Sequence, residues 1–154
     1  MQLSDNFTLT ELTRSETATR LGIANEPSPE QIKNLRYLAV FGLQPFRDEW
    51  GVTTVTSGYR GPALNAEIGG VENSDHLAKG FVAAADFKAR RGTLEEQFYW
   101  LLKSDIPYRQ LILELDQNII HMSMLRPERE TLVREKIDGR LVYTLQKNTG
   151  LLSA

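Results

Sequence analysis

Leu111-Ile112-Leu113-Glu114 and Ile119-Ile120-His121-Met122-Ser123 are two short apolar runs separated by the turn-like Asp116-Gln117-Asn118. Runs of that length around such a spacer predict a β-hairpin. Downstream, Thr131 to Ile137 and Arg140 to Leu145 are joined by Asp138-Gly139. That dipeptide accepts the positive φ angles of a tight hairpin turn, so a second hairpin is expected there. Upstream, Ala83 to Lys88 and the β-branched run Val52-Thr53-Thr54-Val55-Thr56 read as further strands. Three helices are expected beside them. Thr8 with Glu11, flanked by Phe7 and Leu12, has the form of a capping box with a hydrophobic staple. Ser28 and Pro29 open a helix whose inward face is Ile32, Leu35, Leu38, Ala39, Leu43 and Phe46, ending near Trp50. Pro45 lies inside that pattern and should kink or loosen its final turns. Thr93 and Glu96 cap a third helix carrying Leu94, Phe98, Leu101 and Leu102. Hairpins and helices without a repeating βαβ order give the fold class α+β: one domain over residues 1–154, helices packed on one small antiparallel sheet.

Composition narrows the chemistry. The chain has 154 residues, 41% of them hydrophobic and 25% charged, an ordinary globular balance. Eighteen Lys and Arg against 20 Asp and Glu leave a net charge of -2, without the basic excess that neutralising phosphates requires. Nucleic acid is therefore not an expected partner. No Cys is present, which excludes disulfides, thiolate metal sites and a Cys nucleophile, so any zinc has to be held by His and carboxylates. No basic segment followed by an apolar one stands at the N-terminus, and no apolar run approaches a membrane span. The expectation is a monomer made in the cytoplasm without a signal peptide and without membrane insertion.

The two histidines, His76 and His121, carry the candidate chemistry. Ser57 to Gly80 is rich in Gly, Asn, Ser and Pro and reads as an ordered loop, the usual place for a site. His76 lies at its end, before the strand that contains Asp86, and His121 lies in the hairpin with Glu114 on the preceding strand. Two imidazoles and a carboxylate suffice for a catalytic zinc, which takes three protein ligands and keeps a fourth position for water. A His in a strand also has an ordinary reading as a packed, hydrogen-bonded residue.

Ser57-Gly58-Tyr59-Arg60, Leu64-Asn65, Gly69-Gly70, Ser74-Asp75-His76 and Ala84-Ala85-Asp86-Phe87 together resemble the zinc D-Ala-D-Ala carboxypeptidase family of peptidoglycan peptidases. That family includes bacterial carboxypeptidases, dipeptidases and phage endolysins, and shares its fold with the hedgehog signalling domain. The resemblance runs over about residues 3–125, through Phe7-Thr8-Leu9, Leu21-Gly22-Ile23 and Leu43-Gln44-Pro45 to Gln110-Leu111-Ile112-Leu113-Glu114 and Ile120-His121-Met122-Ser123. The hairpin at about 131–146 has no counterpart in it.

The resemblance implies one Zn2+ held by His76, Asp86 and His121, with Glu114 as catalytic base and Arg60 recognising substrate. Ser74 is expected at the substrate side, orienting the site through a hydrogen bond. The implied substrate is the stem peptide of bacterial peptidoglycan, cut by a D,D-carboxypeptidase or by an endopeptidase acting after L-Ala. The implied place of action is the cell wall, after release or as part of a phage particle. The different-class alternative is a non-catalytic cell-wall-binding or virion structural module on the same fold. Two departures stand out. The family usually reads Ser-x-His-x-x-Gly-x-Ala-x-Asp, whereas this chain has one extra residue before Gly80 and two more between Gly80 and Ala84. Ala84 and Asp86 still share a strand face, so the surplus is expected to bulge in the loop. Near His121, both Glu114 and Asp116 are candidate bases. Glu114 is favoured because it ends the apolar strand, while Asp116 suits a turn.

Overall fold

Thr8, Ser15, Ser28 and Thr93 each accept a hydrogen bond from the backbone N–H three residues ahead, and each opens a helix. A side-chain oxygen there satisfies a donor that the helix itself leaves unpaired. The computed structural model describes residues 1–146. Its helices are α1 (Leu9–Thr13), α2 (Glu16–Leu21), α3 (Pro29–Leu38), α4 (Gln44–Trp50), α5 (Pro62–Glu67) and α6 (Leu94–Lys103). Ser28 and Thr93 form complete capping boxes with Gln31 and Glu96, whereas at Thr8 only the Thr side-chain bond forms. Between α3 and α4 the backbone widens into a π-helical stretch, Ala39–Leu43. The wider turn lies where the Pro45 ring would otherwise press on the carbonyl four residues back, so the expected loosening falls just before the proline.

The strands are β1 (Thr53–Ser57), β2 (Ala83–Ala89), β3 (Tyr108–Glu114), β4 (Ile119–Met124), β5 (Glu130–Ile137) and β6 (Arg140–Leu145), in one sheet of order β1-β2-β4-β3-β5-β6. Both expected hairpins are present, β3–β4 and β5–β6. The second turns on Asp138 and Gly139, both at positive φ. The sheet departs from the all-antiparallel expectation at one place, where β5 runs parallel to β3. The slot beside β3 on one side is already filled by β4, so the chain leaving β4 crosses the end of β3 and pairs on its free side. Leu125 and Arg129, both at positive φ, carry that short crossing. Two helices were not expected. They are α2, closed by Gly22 in a left-handed conformation, and α5, which occupies part of the loop region behind Pro62. Positions 147–154 of the expected domain lie outside the described residues.

One sheet face carries Ala83, Ala85, Phe87, Leu111, Leu113, Ile120, Met122 and Met124, all buried. It is covered by Leu35, Leu38, Phe46, Phe98, Leu101 and Leu102 from α3, α4 and α6 in the same core. Buried Gln97 of α6 satisfies both main-chain groups of Ala89 at the end of β2, so no polar group is stranded where helix meets sheet. The opposite face of the sheet is left free of helices from this layer, and the candidate residues lie on it. No helix among the described residues is long and apolar enough to cross a membrane.

Candidate metal centre

Strand register brings the candidate residues into two rows across the sheet. In the first row, Ser57 of β1 pairs with Asp86 of β2, Asp86 with His121 of β4, and His121 with Ile112 of β3. In the second, Ile119 of β4 pairs with Glu114 of β3, Glu114 with Arg134 of β5, and Arg134 with Tyr143 of β6. Paired residues point to the same face with neighbouring Cβ atoms about 5 Å apart, so each row is a line of adjacent side chains. They line a cleft of about 830 Å³ that also includes Arg60, Ser74, His76 and Arg109.

His76 enters from a short 3-10 turn, Asp75–Leu77, whose first backbone bond is capped by Ser74 Oγ accepting from His76 N. Ser74 thus fixes the backbone of His76 as well as lining the cleft. The His76 ring donates Nδ1–H to the Gly58 carbonyl at 2.7 Å, since a carbonyl can only accept. Nε2 is thereby left to face Asp86 Oδ1 at 3.3 Å. The same carboxylate oxygen meets His121 Nδ1 at 2.9 Å. The donor atoms of His76, Asp86 and His121 all lie within 4.8 Å of one another, and His121 Nε2 is buried without a hydrogen-bond partner. Ligands bound tetrahedrally at zinc distances stand about 3.3 Å apart, so these separations and this donor set fit a single zinc ion.

The electrostatics of the cluster follow from burial and proximity. Burial alone would raise the pKa of Asp86, but the charge of His76 and hydrogen bonds from both imidazoles hold it well below the usual carboxylate range. For His121, burial pulls downward and the hydrogen bond and charge of Asp86 outweigh it, leaving its pKa raised. Glu114 is buried, and its pKa is pushed up to about 7 by desolvation and then by the charge of Asp86, against the pull of His121 and Arg134. Asp116, two residues further on in the turn, does not line the cleft. It is held by Arg134 through two hydrogen bonds, 2.8 and 3.0 Å, with its pKa lowered. The Arg60 guanidinium is half-buried with Nε unpartnered, in the field of Asp86 and Glu114.

The extra residues between His76 and Asp86 leave that arrangement intact. Ala78 and Gly80 take left-handed conformations, Phe81 projects into solvent, and β2 begins at Ala83. Asn34 of α3 donates to the carbonyls of both Ala78 and Gly80, so the excursion is tied down at its base. Asn65 braces the preceding loop by donating to the Val71 carbonyl.

Gly58 is set by close approach. A Cβ there would run into the Leu12 carbonyl, which also accepts from Tyr59 N, and the Gly58 carbonyl is the His76 partner. Gly58→Ala is expected to destabilise the fold by about 1 to 3 kcal/mol through overpacking against backbone. Thermal unfolding checks this, and a melting temperature equal to that of the parent would refute it.

Arg134 and Tyr143 were absent from the expected site. Their only sequence signal is the Asp138-Gly139 hairpin that carries them, since an Arg in an amphipathic strand looks like a surface residue until β5 pairs with β3.

A family model described as Peptidase M15 matches residues 5–123. A search of curated proteins finds no match.

Proposed function

The chain belongs to the peptidase M15 family of zinc metallopeptidases, and from that premise we propose that it hydrolyses a peptide bond in the stem peptide of bacterial peptidoglycan. The observation that carries this reading is the convergence of His76, Asp86 and His121 beside a buried Glu114 in a cleft that Arg60 also lines. His76, Asp86 and His121 would hold the ion. Zinc bound there supplies a water of lowered pKa and polarises the scissile carbonyl. Glu114 takes a proton at its carboxylate and passes it to the leaving amine; burial, which raises its pKa, makes it a stronger proton acceptor. The Gly58 carbonyl fixes the tautomer and orientation of His76, so the ring offers Nε2 and not Nδ1. Arg60 binds a substrate carboxylate through its planar fork or steadies a carbonyl as negative charge grows on it.

The testing experiment incubates the purified chain with purified peptidoglycan and identifies the released fragments. Free D-Ala marks a carboxypeptidase and larger stem-peptide fragments mark an endopeptidase. Folded, zinc-loaded protein that releases nothing would overturn the reading in favour of a binding or structural module.

Arg60 discriminates further. For a carboxypeptidase, Arg60→Lys is already costly because a point charge cannot reproduce a two-point grip on a carboxylate, and amidating the substrate terminus removes most activity. For an endopeptidase, amidation changes little and loss of Arg60 falls on turnover more than on binding. Hydrolysis unaffected both by amidation and by Arg60→Ala would remove Arg60 from the site.

A further inference from the structure

The family match ends at residue 123, before the β5–β6 hairpin begins, yet that hairpin reaches into the cleft. Leu141 and Tyr143 line the cleft with Arg134, and Arg134 stands beside Glu114 in strand register. Its Nε donates to Asp116 Oδ1 at 2.8 Å. The two hydrogens of Nη2 are divided between Asp116 Oδ2 at 3.0 Å and Glu114 Oε2 at 3.1 Å. The guanidinium is itself mostly shielded from solvent.

We propose that Arg134 is the positioning residue for the base: anchored on Asp116, it holds one oxygen of Glu114 and leaves the other for the cleft. The inference rests on Glu114 being the base. Its physical content is a division of labour between the two acids. A glutamate has three rotatable side-chain bonds, and the charge-assisted hydrogen bond at Oε2 adds to burial in restraining which way the carboxylate faces. If Glu114 were the only partner of Arg134, the guanidinium would follow the carboxylate as its charge changed during a proton transfer. The two-point grip on Asp116 prevents this, because Asp116 lies outside the cleft and keeps its charge. Arg134 also balances two carboxylates that stand two residues apart at the end of β3, and its charge opposes the upward push of burial on Glu114. The hairpin beyond the family match thereby becomes part of the catalytic apparatus.

The experiment compares zinc-loaded full-length protein with Arg134→Ala, Arg134→Lys, Asp116→Asn and Glu114→Gln variants, measuring kcat, KM, bound zinc and thermal unfolding. Arg134→Ala is expected to lower kcat roughly 10- to 100-fold, the range for partners that orient active-site groups, with KM and zinc content little changed. Arg134→Lys should recover part of the loss, since an ammonium reaches one carboxylate but not both. Asp116→Asn should fall by less than Arg134→Ala. A folded Arg134→Ala protein with the parent's kcat overturns the proposal, as does one that loses zinc or changes only in KM. Should Arg134→Ala not fold, Arg134→Lys and Asp116→Asn decide, and parental kcat in both overturns it. Glu114→Gln tells the two failures apart. If that variant is inactive while the Arg134 variants are unaffected, only the positioning role is lost; if it is active, the base assignment falls and the inference with it.

Discussion

Glu114→Gln is expected to keep zinc bound and to lose about 100- to 10,000-fold in kcat, the usual worth of a positioned acid–base group. The amide matches the carboxylate in shape but cannot accept the proton. Asp116→Asn should be mild by comparison, because Asp116 is held by Arg134 and does not line the cleft. The pH profile provides a second check. Glu114 works as a base only when ionised, and burial raises its pKa to about 7. Activity of the parent should therefore rise with pH along an acid limb, which the positive charge of bound zinc draws below that value. In Glu114→Gln the residual activity should lack this limb. An inactive Asp116→Asn beside an active Glu114→Gln would exchange the two assignments.

Chelation is expected to abolish hydrolysis and an equivalent of zinc to restore it. The reason lies in the donor set: His76 Nε2, Asp86 and His121 face one point, and the carboxylate oxygen they share stands 3.3 and 2.9 Å from the two imidazoles. Without the ion Asp86 still bonds to His121 and His76 still bonds to the Gly58 carbonyl, so the apoprotein should remain folded and only the chemistry should be missing. His121→Ala should go further, removing a ligand and leaving Asp86 with one imidazole, so that zinc no longer restores activity. Demonstrably zinc-free protein that hydrolyses peptidoglycan at the full rate would end the metal reading.

Much of the fold was legible because its signals are local. Asp138-Gly139 forces a turn whatever surrounds it, and Ser28-Pro29 and Thr93 with Glu96 mark helix starts by hydrogen bonds that span only three residues. The helices α2 and α5 escaped notice because neither opens on a capping-box pattern: Ser15 has Ala18 three residues on, and Gly61 offers no side chain to cap α5. The parallel pairing of β3 with β5 was illegible for a related reason. It depends on which side of β3 is already occupied, a fact of the assembled sheet. The same limit applied to the candidate site. His76, Asp86 and His121 were picked out by family resemblance and by the scarcity of histidine, and their meeting is a product of the register that pairs Asp86 with His121 and of the turn that brings His76 against the Gly58 carbonyl. Arg134 carries no mark in the sequence that separates it from a solvated strand residue.

The tethered excursion between Ala78 and Val82 shows what fixes a candidate ligand in this architecture. Asp86 is placed by its rung on the ladder opposite His121, and His76 by its bond to the Gly58 carbonyl and by the short turn that Ser74 caps. Neither depends on how many residues lie between them, because Asn34 closes the loop at its base and the tip points outward. The chain can therefore gain or lose residues at that tip while His76 and Asp86 keep their places. Counting along the sequence is a poor ruler for such a centre, and the rung and the tether are the better ones.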